Sequence, residues 1–263
     1  MKRRMAVAAA VLVLMLAANA AAQLVAPPEL RRADPPSPEM TAMQLEGRAD
    51  ELRSMKFYAD AIDYYEAALK RGGKPSPLHN KIGIAELQMM RFDAARKSFD
   101  RALRFDKNSP EAWNNLGVAW YSKKKYGSAI KAYERALKLN IESASFHSNL
   151  GTAYFQKRDY DRANLEYQRA LELDPDVFEH RGGNGVALQM LSPAERAKFS
   201  YTVARTYAKQ GNTERALLYL RKAMEDGFPQ IDNVFKDDEF ASLRKDPRFA
   251  ELMAQKMVVI PQD

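Results

Sequence analysis

Three histidines, one dense acidic run and one glycine cluster are the residues of this 263-residue chain whose types could carry chemistry. Zinc binding or acid–base work needs its imidazoles close together, but His79, His147 and His180 show no H-E-x-x-H spacing that sets two on one helical face. Asp237-Asp238-Glu239 lies on a polar stretch, where solvation or helix capping is the expected role. Arg181-Gly182-Gly183-Asn184-Gly185 has the glycines of a phosphate-cradling loop. Such a loop also needs a strand before it, a helix after it and a lysine at a fixed offset, and the lysine is missing. The absence of cysteine removes disulfides, thiol nucleophiles, thiolate metal sites and lipid attachment at cysteine. No G-x-S-x-G, EF-hand loop or Walker lysine occurs. The sequence therefore predicts no catalytic residue, no cofactor and no metal site.

The elements that must position any function come from an internal period. Ala61, Ala95, Ala129 and Ala163 are each 34 residues apart, as are Ala68, Ala102, Ala136 and Ala170, with Leu69, Leu103, Leu137 and Leu171 one step on. Tyr65, Phe99, Tyr133 and Tyr167 keep the same period, and so do Tyr58, Phe92, Tyr126 and Tyr160. Gly83, Gly117 and Gly151 share a column that Ala49 fills in the first unit. The units are 42–75, 76–109, 110–143 and 144–177. Each reads as two amphipathic helices. In the third, Trp113, Leu116, Gly117 and Trp120 line one face of a helix from Pro110 to about Ser122, and Ala129, Tyr133, Ala136 and Leu137 line a second from Tyr126 to Leu139. Ser109 is placed to cap the first, with Pro110 at its first position, and Ser76-Pro77 repeats that signal. A bulky charge at Ala129 is expected to lower the melting temperature by several degrees.

These columns resemble the tetratricopeptide repeat family. Trp113, Leu116, Gly117, Trp120, Ala129, Tyr133 and Ala136 stand in its signature positions, and Leu150, Gly151, Tyr154, Ala163, Tyr167, Ala170 and Pro175 do so in the next unit. The first unit departs from the pattern, with Arg48 where leucine is usual. A fifth match, Val203, Ala204, Tyr207, Gly211, Ala216, Leu220 and Ala223, spans 197–230, thrown out of phase by the insertion 178–196. Ser192-Pro193-Ala194-Glu195 is a capping box, which starts that helix near Pro193. The resemblance implies an all-α, right-handed superhelical solenoid of antiparallel helix pairs. The tail 231–263, with Asp246-Pro247 opening a short helix before Phe249, is expected to cap the open end of the stack.

The ends of the chain give the remaining expectations. Lys2, Arg3 and Arg4 precede an apolar run from Met5 to Ala18 and the small residues Ala20-Ala21-Ala22, the pattern of a secretory signal peptide over 1–22. The run is shorter than the roughly 20 residues that cross a bilayer, so cleavage rather than anchoring is expected. Residues 23–41 hold Pro27, Pro28, Pro35, Pro36 and Pro38 and read as an extended linker. The formal charge is +7, with three positive charges inside the signal segment. That leaves no nucleic-acid footprint, and Lys123-Lys124-Lys125 reads as a solvated turn. The mature chain is expected in the periplasm or secreted, with no transmembrane segment.

What remains for function is a concave face made by the first helices of successive units. Positions 5, 9 and 12 of each unit share one helical stripe, and the resemblance assigns that stripe to ligands. It reads Glu46, Asp50, Arg53; Asn80, Ile84, Leu87; Asn114, Val118, Tyr121; Ser148, Thr152, Phe155; then Tyr201, Arg205 and Ala208, with Lys198 and Lys209 nearby. Asn115 and Asn149, at position 6, match a frequent asparagine of the family that bonds a ligand backbone. The lysine-and-asparagine clamp for acidic chaperone tails is absent. The expected partner-binding groove is Asn80, Asn114, Asn115, Val118, Tyr121, Ser148, Asn149, Thr152, Phe155 and Arg205, running from an acidic to a basic end, with Tyr121 and Phe155 as apolar anchors for a protein or peptide partner. The alternative is a structural protein that self-associates, or whose groove is filled by its own insertion, where Val186, Ala187, Leu188, Met190 and Leu191 are apolar.

Overall fold

A computed structural model describes residues 34–178 and 192–255. The signal segment, the linker as far as residue 33, residues 179–191 of the insertion with its glycine cluster and His180, and residues 256–263 lie outside the described residues. Among the described residues every regular element is helical. The helices are α1 (Ala42–Ser54), α2 (Tyr58–Lys70), α3 (Pro75–Gln88), α4 (Phe92–Phe105), α5 (Pro110–Ser122), α6 (Tyr126–Leu139), α7 (Ala144–Gln156), α8 (Tyr160–Leu173), α9 (Pro193–Lys209), α10 (Thr213–Glu225) and α11 (Pro247–Ala254). Three short 3₁₀ turns between Ile231 and Lys245 precede α11. Each odd helix up to α9 packs most extensively on the even helix after it, which makes the stack a solenoid of antiparallel pairs. None of the described helices is long and apolar enough to cross a membrane.

Local chemistry accounts for the boundaries. Ser109 caps α5 by accepting from the Ala112 N–H at 3.2 Å, and Pro110 follows at the first helical position. Thr41 with Gln44 and Ser192 with Glu195 form reciprocal capping boxes at α1 and α9. The second unit corrects the expectation at Ser76. Helix α3 begins at Pro75, after Lys74, which makes no side-chain cap, because Pro75 already supplies the φ of a first turn. Within each pair the connection turns through one left-handed residue: Lys56, Met90, Lys124, Arg158 and, in the fifth unit, Gly211. Only glycine takes that conformation without steric cost.

The alanine columns are what let the helices touch. Ala61, Ala95, Ala129, Ala163 and Ala216, and Ala68, Ala102, Ala136, Ala170 and Ala223, are all fully buried. At the glycine column it is an aromatic ring, not a second backbone, that comes close. A Cβ on Gly83 would meet Phe99 at 2.5 Å, one on Gly151 would meet Tyr167 at 2.7 Å, and Tyr133 lies the same way on Gly117. Where the column carries Ala204 instead, its partner position holds the smaller Leu220, and both are completely buried.

Both ends are covered by the chain itself. Residues 34–40 do not stand off as an extended spacer but lie along α2. The Tyr64 hydroxyl donates to the Asp34 carbonyl at 2.9 Å, and Arg71 donates to the carbonyls of Pro38 and Met40. At the far end Val234, Phe240, Leu243, Phe249, Leu252 and Met253 are buried. Arg244 ties the turns together by donating to the carbonyls of Val234 and Asp237, each at 2.9 Å, and Asp246 caps α11.

Candidate functional site

The concave stripe is crossed by side-chain bonds that step from one unit to the next. Lys81 of α3 reaches back to α1, with Nζ 2.7 Å from Glu46 and 2.6 Å from Asp50. Asn115 of α5 donates to Asn80 of α3 at 3.0 Å, and Asn149 of α7 donates to Asn114 of α5 at 2.9 Å. A longer 3.4 Å bond from Asn114 to Asn115 joins these two into one amide ladder. Lys81–Glu46, Asn115–Asn80 and Asn149–Asn114 are each 35 residues apart, one more than the period, so in the second, third and fourth units position 6 answers position 5 of the unit before. The charge or amide complementarity of those two columns is the signal that sequence reading passes over.

The ladder changes the meaning of several expected site residues. Asn80, Asn114, Asn115 and Asn149 are brought together, but each already bonds another. The acidic end is neutralised by Lys81. Burial works to raise the Asp50 carboxyl, yet its bonds from Lys81 and the Tyr65 hydroxyl outweigh this and hold it below the usual carboxylate range. The basic end is neutralised as well. Arg205 pairs with Glu239 and Asp237 of the tail, and the Tyr201 hydroxyl donates to Asp237 at 2.9 Å. The tail acids therefore stand toward positions 5 and 9 of the fifth unit as Lys81 stands toward those of the first, with the signs reversed.

The expected anchors are not open. Tyr121 and Phe155 are each 4% exposed, and Val118, Ser148 and Thr152 are buried beside them. Phe155 packs edge-on against Tyr160 and against Phe199 of α9, with centroids 5.5 and 6.3 Å away. Phe199 also meets Tyr167 and Phe178 edge-on, at 5.4 and 5.6 Å. Tyr121 leans on Tyr126 at 5.3 Å and lines a small cavity of about 80 Å³ with Lys124, Tyr126, Gln156 and Glu195; burial raises its hydroxyl well above the usual tyrosine value. Thr152 spends its hydroxyl proton on the Ser148 carbonyl at 2.8 Å. The half-open part of the stripe is the run Glu46, Asp50, Asn80, Lys81, Ile84 and Asn115 on α1, α3 and α5.

The histidines sit where the repeat columns put them. His147 Nε2 lies 2.9 Å from the Ile141 carbonyl, and Trp113 Nε1 donates to the Lys107 carbonyl at 2.9 Å. Both rings reach six residues back to the preceding turn, a packing role. His147 Nδ1 bonds Glu166 at 2.6 Å, and His79 stacks on Phe105 at 5.8 Å. Among the described residues no group of three or more His, Cys, Asp or Glu is arranged to hold a metal ion. The basic run is a turn, as expected: Lys123 ends α5, Lys124 takes the left-handed position and Lys125 precedes α6. Lys123 also pairs with Asp93.

Comparison with solved structures finds the same fold. MamA from residue 41 to the end, from Desulfovibrio magneticus RS-1, is 17% identical over 70% of this chain and 93% of that one, with a TM-score of 0.51. TTC0263, a thermophilic TPR protein in Thermus thermophilus, is 17% identical over 81% of this chain and all of that one, at 0.50. A second MamA structure is 21% identical over 75% and 95%, also at 0.50. At these identities the likeness is one of fold. No curated protein matches the chain. The tetratricopeptide repeat family model matches residues 80–144, 124–178 and 148–230, a span of more than half the sequence that contains the amide ladder, the glycine column and the buried alanines of every unit but the first. On that match, the chain belongs to the tetratricopeptide repeat family.

Proposed function

We propose that this protein is an exported, non-enzymatic scaffold or assembly adaptor, periplasmic or secreted, that holds a peptide or helix of a partner protein against its concave face. The observation that carries this reading is the polar stripe crossing α1, α3 and α5. It is half-open, it comes from three different units, and it offers charged, amide and apolar groups in one line (Lys81, Asn80, Asn115, Ile84). A peptide backbone has the donors and acceptors to exchange with the amides, and Ile84 is the apolar contact beside them. Export rests on the basic, apolar and small-residue pattern of residues 1–22.

Because the amides are already bonded, a ligand replaces internal bonds and does not fill unsatisfied ones, so the expected affinity is modest. The buried Tyr121 and Phe155 are poor probes, since aspartate there would damage the core. The informative variant is Ile84→Asp with Asn115→Ala. Affinity capture from an envelope extract with mature 23–263 is expected to retain a protein that the double variant loses at unchanged helicity. Equal capture by both proteins would count against the stripe.

A second reading is favoured by the burial of Val118, Tyr121, Thr152 and Phe155. In it the chain closes part of its own concave face and the protein serves as a structural or self-associating envelope component. Phe199 on Phe155 and Glu195 beside Tyr121 support it. The solution mass of mature 23–263, with and without 178–191, separates the two readings: a change of oligomeric state favours the second.

A further inference from the structure

At two regular junctions an aromatic residue at position 11 of one unit reaches the second helix of the unit before, by its ring at one and by its hydroxyl at the other, where the Tyr154 ring itself lies over Arg162 of its own unit at 4.4 Å. The Arg96 guanidinium lies 5.4 Å from the Trp120 ring, and the Tyr154 hydroxyl donates to Glu134 at 2.9 Å. The residues met are position 21 in α4 and position 25 in α6. At the fourth junction those positions are Asn164 and Gln168 of α8, and the corresponding ring is Tyr207. That ring has gone elsewhere. Its hydroxyl donates to the Pro175 carbonyl at 2.9 Å, and it packs on Tyr219 at 5.5 Å.

The place left over is a cleft of about 290 Å³ in which Asp161, Asn164, Leu165 and Gln168 of α8 face Arg205, Thr206 and Lys209 of α9, with Glu239 beside them. Among the described residues no aromatic one lines it. Leu165 is 63% exposed in a column that carries Asp63, Lys97 and Lys131 in the earlier units. Among the described residues Asn164 Oδ1 is buried without a hydrogen-bond partner, and Arg205 Nε makes only its 3.6 Å ion pair with Asp237. The volume is at the lower edge of the roughly 300–1,000 Å³ of sites that engulf a small molecule, and suits one large side chain with its flanking backbone. We propose that this cleft receives a tyrosine or tryptophan side chain from a peptide of another protein, in the manner of the chain's own Trp120 and Tyr154. The neutral amides of Asn164 and Gln168 hold the positions at which Arg96 meets the Trp120 ring and Glu134 the Tyr154 hydroxyl; Gln168 is bonded in turn to Glu172 and Lys209, and Leu165 supplies an apolar edge. Residues 1–33, 179–191 and 256–263 contain no tyrosine, tryptophan or phenylalanine, so none of these segments supplies the ring. The site shares only Arg205 with the concave stripe and does not rest on it.

The test is an NMR titration of the ¹⁵N-labelled full chain with the capped tripeptides acetyl-Gly-Tyr-Gly-amide and acetyl-Gly-Trp-Gly-amide, with acetyl-Gly-Ala-Gly-amide as control. The expected result is saturable shifts of amides in 161–168 and 205–209 at about millimolar concentration for the aromatic peptides, and none for the alanine peptide. Leu165→Asp, at an exposed position that leaves the core intact, is expected to weaken binding at least about fivefold, and Gln168→Trp, which fills the cleft, to abolish it. Circular dichroism of each variant confirms the fold. Equal shifts with the alanine peptide, shifts confined to the stripe around Asn80 and Asn115, or unchanged binding by Leu165→Asp would each overturn the proposal. A mass that rises with concentration and falls in Gln168→Trp would make a second copy of the chain the source of the ring, and would overturn the assignment to another protein.

Discussion

The four contiguous units and the fifth are built from the same buried columns but joined by different physics. Between the first four, each junction carries a cross-unit polar pair: Lys81 with Glu46 and Asp50, Asn115 with Asn80, and Asn149 with Asn114. At the fourth junction position 6 is Thr202 and position 5 is Ser148, and no bond joins them among the described residues. There α9 meets α8 far less extensively than earlier first helices meet the second helix before them, and a cluster of rings, Phe155, Tyr167, Phe178 and Phe199, holds the two parts together. Other polar contacts cross this junction, Tyr207 to the Pro175 carbonyl and Arg215 to Asp176, but the concave-face pairing resumes only one step later, between the fifth unit and the tail. The repeat column determines how a helix pair is built, whereas the junction residues determine how pairs are stacked, and an insertion can break the second without touching the first.

Substitutions can break or sharpen this contrast. The largest loss is expected for Phe199→Ala, about 3–5 kcal/mol by chemical denaturation, because Phe199 is only 7% exposed and touches three rings. The same column in the third unit is already alanine, Ala112, fully buried, so a negligible cost for Phe199→Ala would erase the contrast. Next comes Gly117→Val, expected to cost about 2–3 kcal/mol, since the added carbons meet the Tyr133 ring. Gly127→Ala, with nothing within 4 Å of its Cβ, is expected to be neutral or slightly stabilising in thermal melts.

The charge-paired ends are expected to respond to acid. Burial raises Glu239, but the Arg205 bond outweighs it and the net shift is downward. The stability this pair contributes is therefore complete above the usual glutamate range and is lost as pH falls through the lowered folded value. Asp50 has the same sign. Both pairs are a quarter to a third exposed, so each contributes no more than about 1 kcal/mol. Arg205→Met is expected to lower the melting temperature slightly at neutral pH and to flatten its fall in acid; an unchanged acid limb would remove the tail pair from the account. Glu86 has the opposite sign. Burial raises its carboxyl, so Glu86→Gln should stabilise the chain most at neutral pH and least in acid. The last effect is a gain. Arg158→Gly relieves a left-handed φ of 62° and is expected to add about 0.5–1 kcal/mol, as Gly211 already does in the fifth unit.

What was legible in the sequence follows the same division. Helices Pro110–Ser122 and Tyr126–Leu139, the start of α9 at Pro193 and the capped helix at Pro247 follow from local signals: caps, first-turn prolines and the period-34 columns. Those signals act within one helix pair. The concave stripe was legible as a line of positions, and its asparagines do meet. Its accessibility was not, because Tyr121 and Phe155 are buried in part by residues of α9 more than 40 positions away, across a junction that no repeat encodes. The basic end misled for a related reason. Arg205 is a concave-face residue by column, but its partners Asp237 and Glu239 lie in irregular turns without a helical period to bring them into view.

The most direct test is a pair of double-mutant cycles read by equilibrium unfolding, one on Asn114 and Asn149 (each to Ala) and one on Ser148 and Thr202 (to Ala and Val). A coupling of about 1 kcal/mol is expected for the asparagines, and none beyond error for the serine–threonine pair. Equal couplings in the two cycles, or none between Asn114 and Asn149, would mean that side-chain pairing does not distinguish the regular stack from the fifth unit.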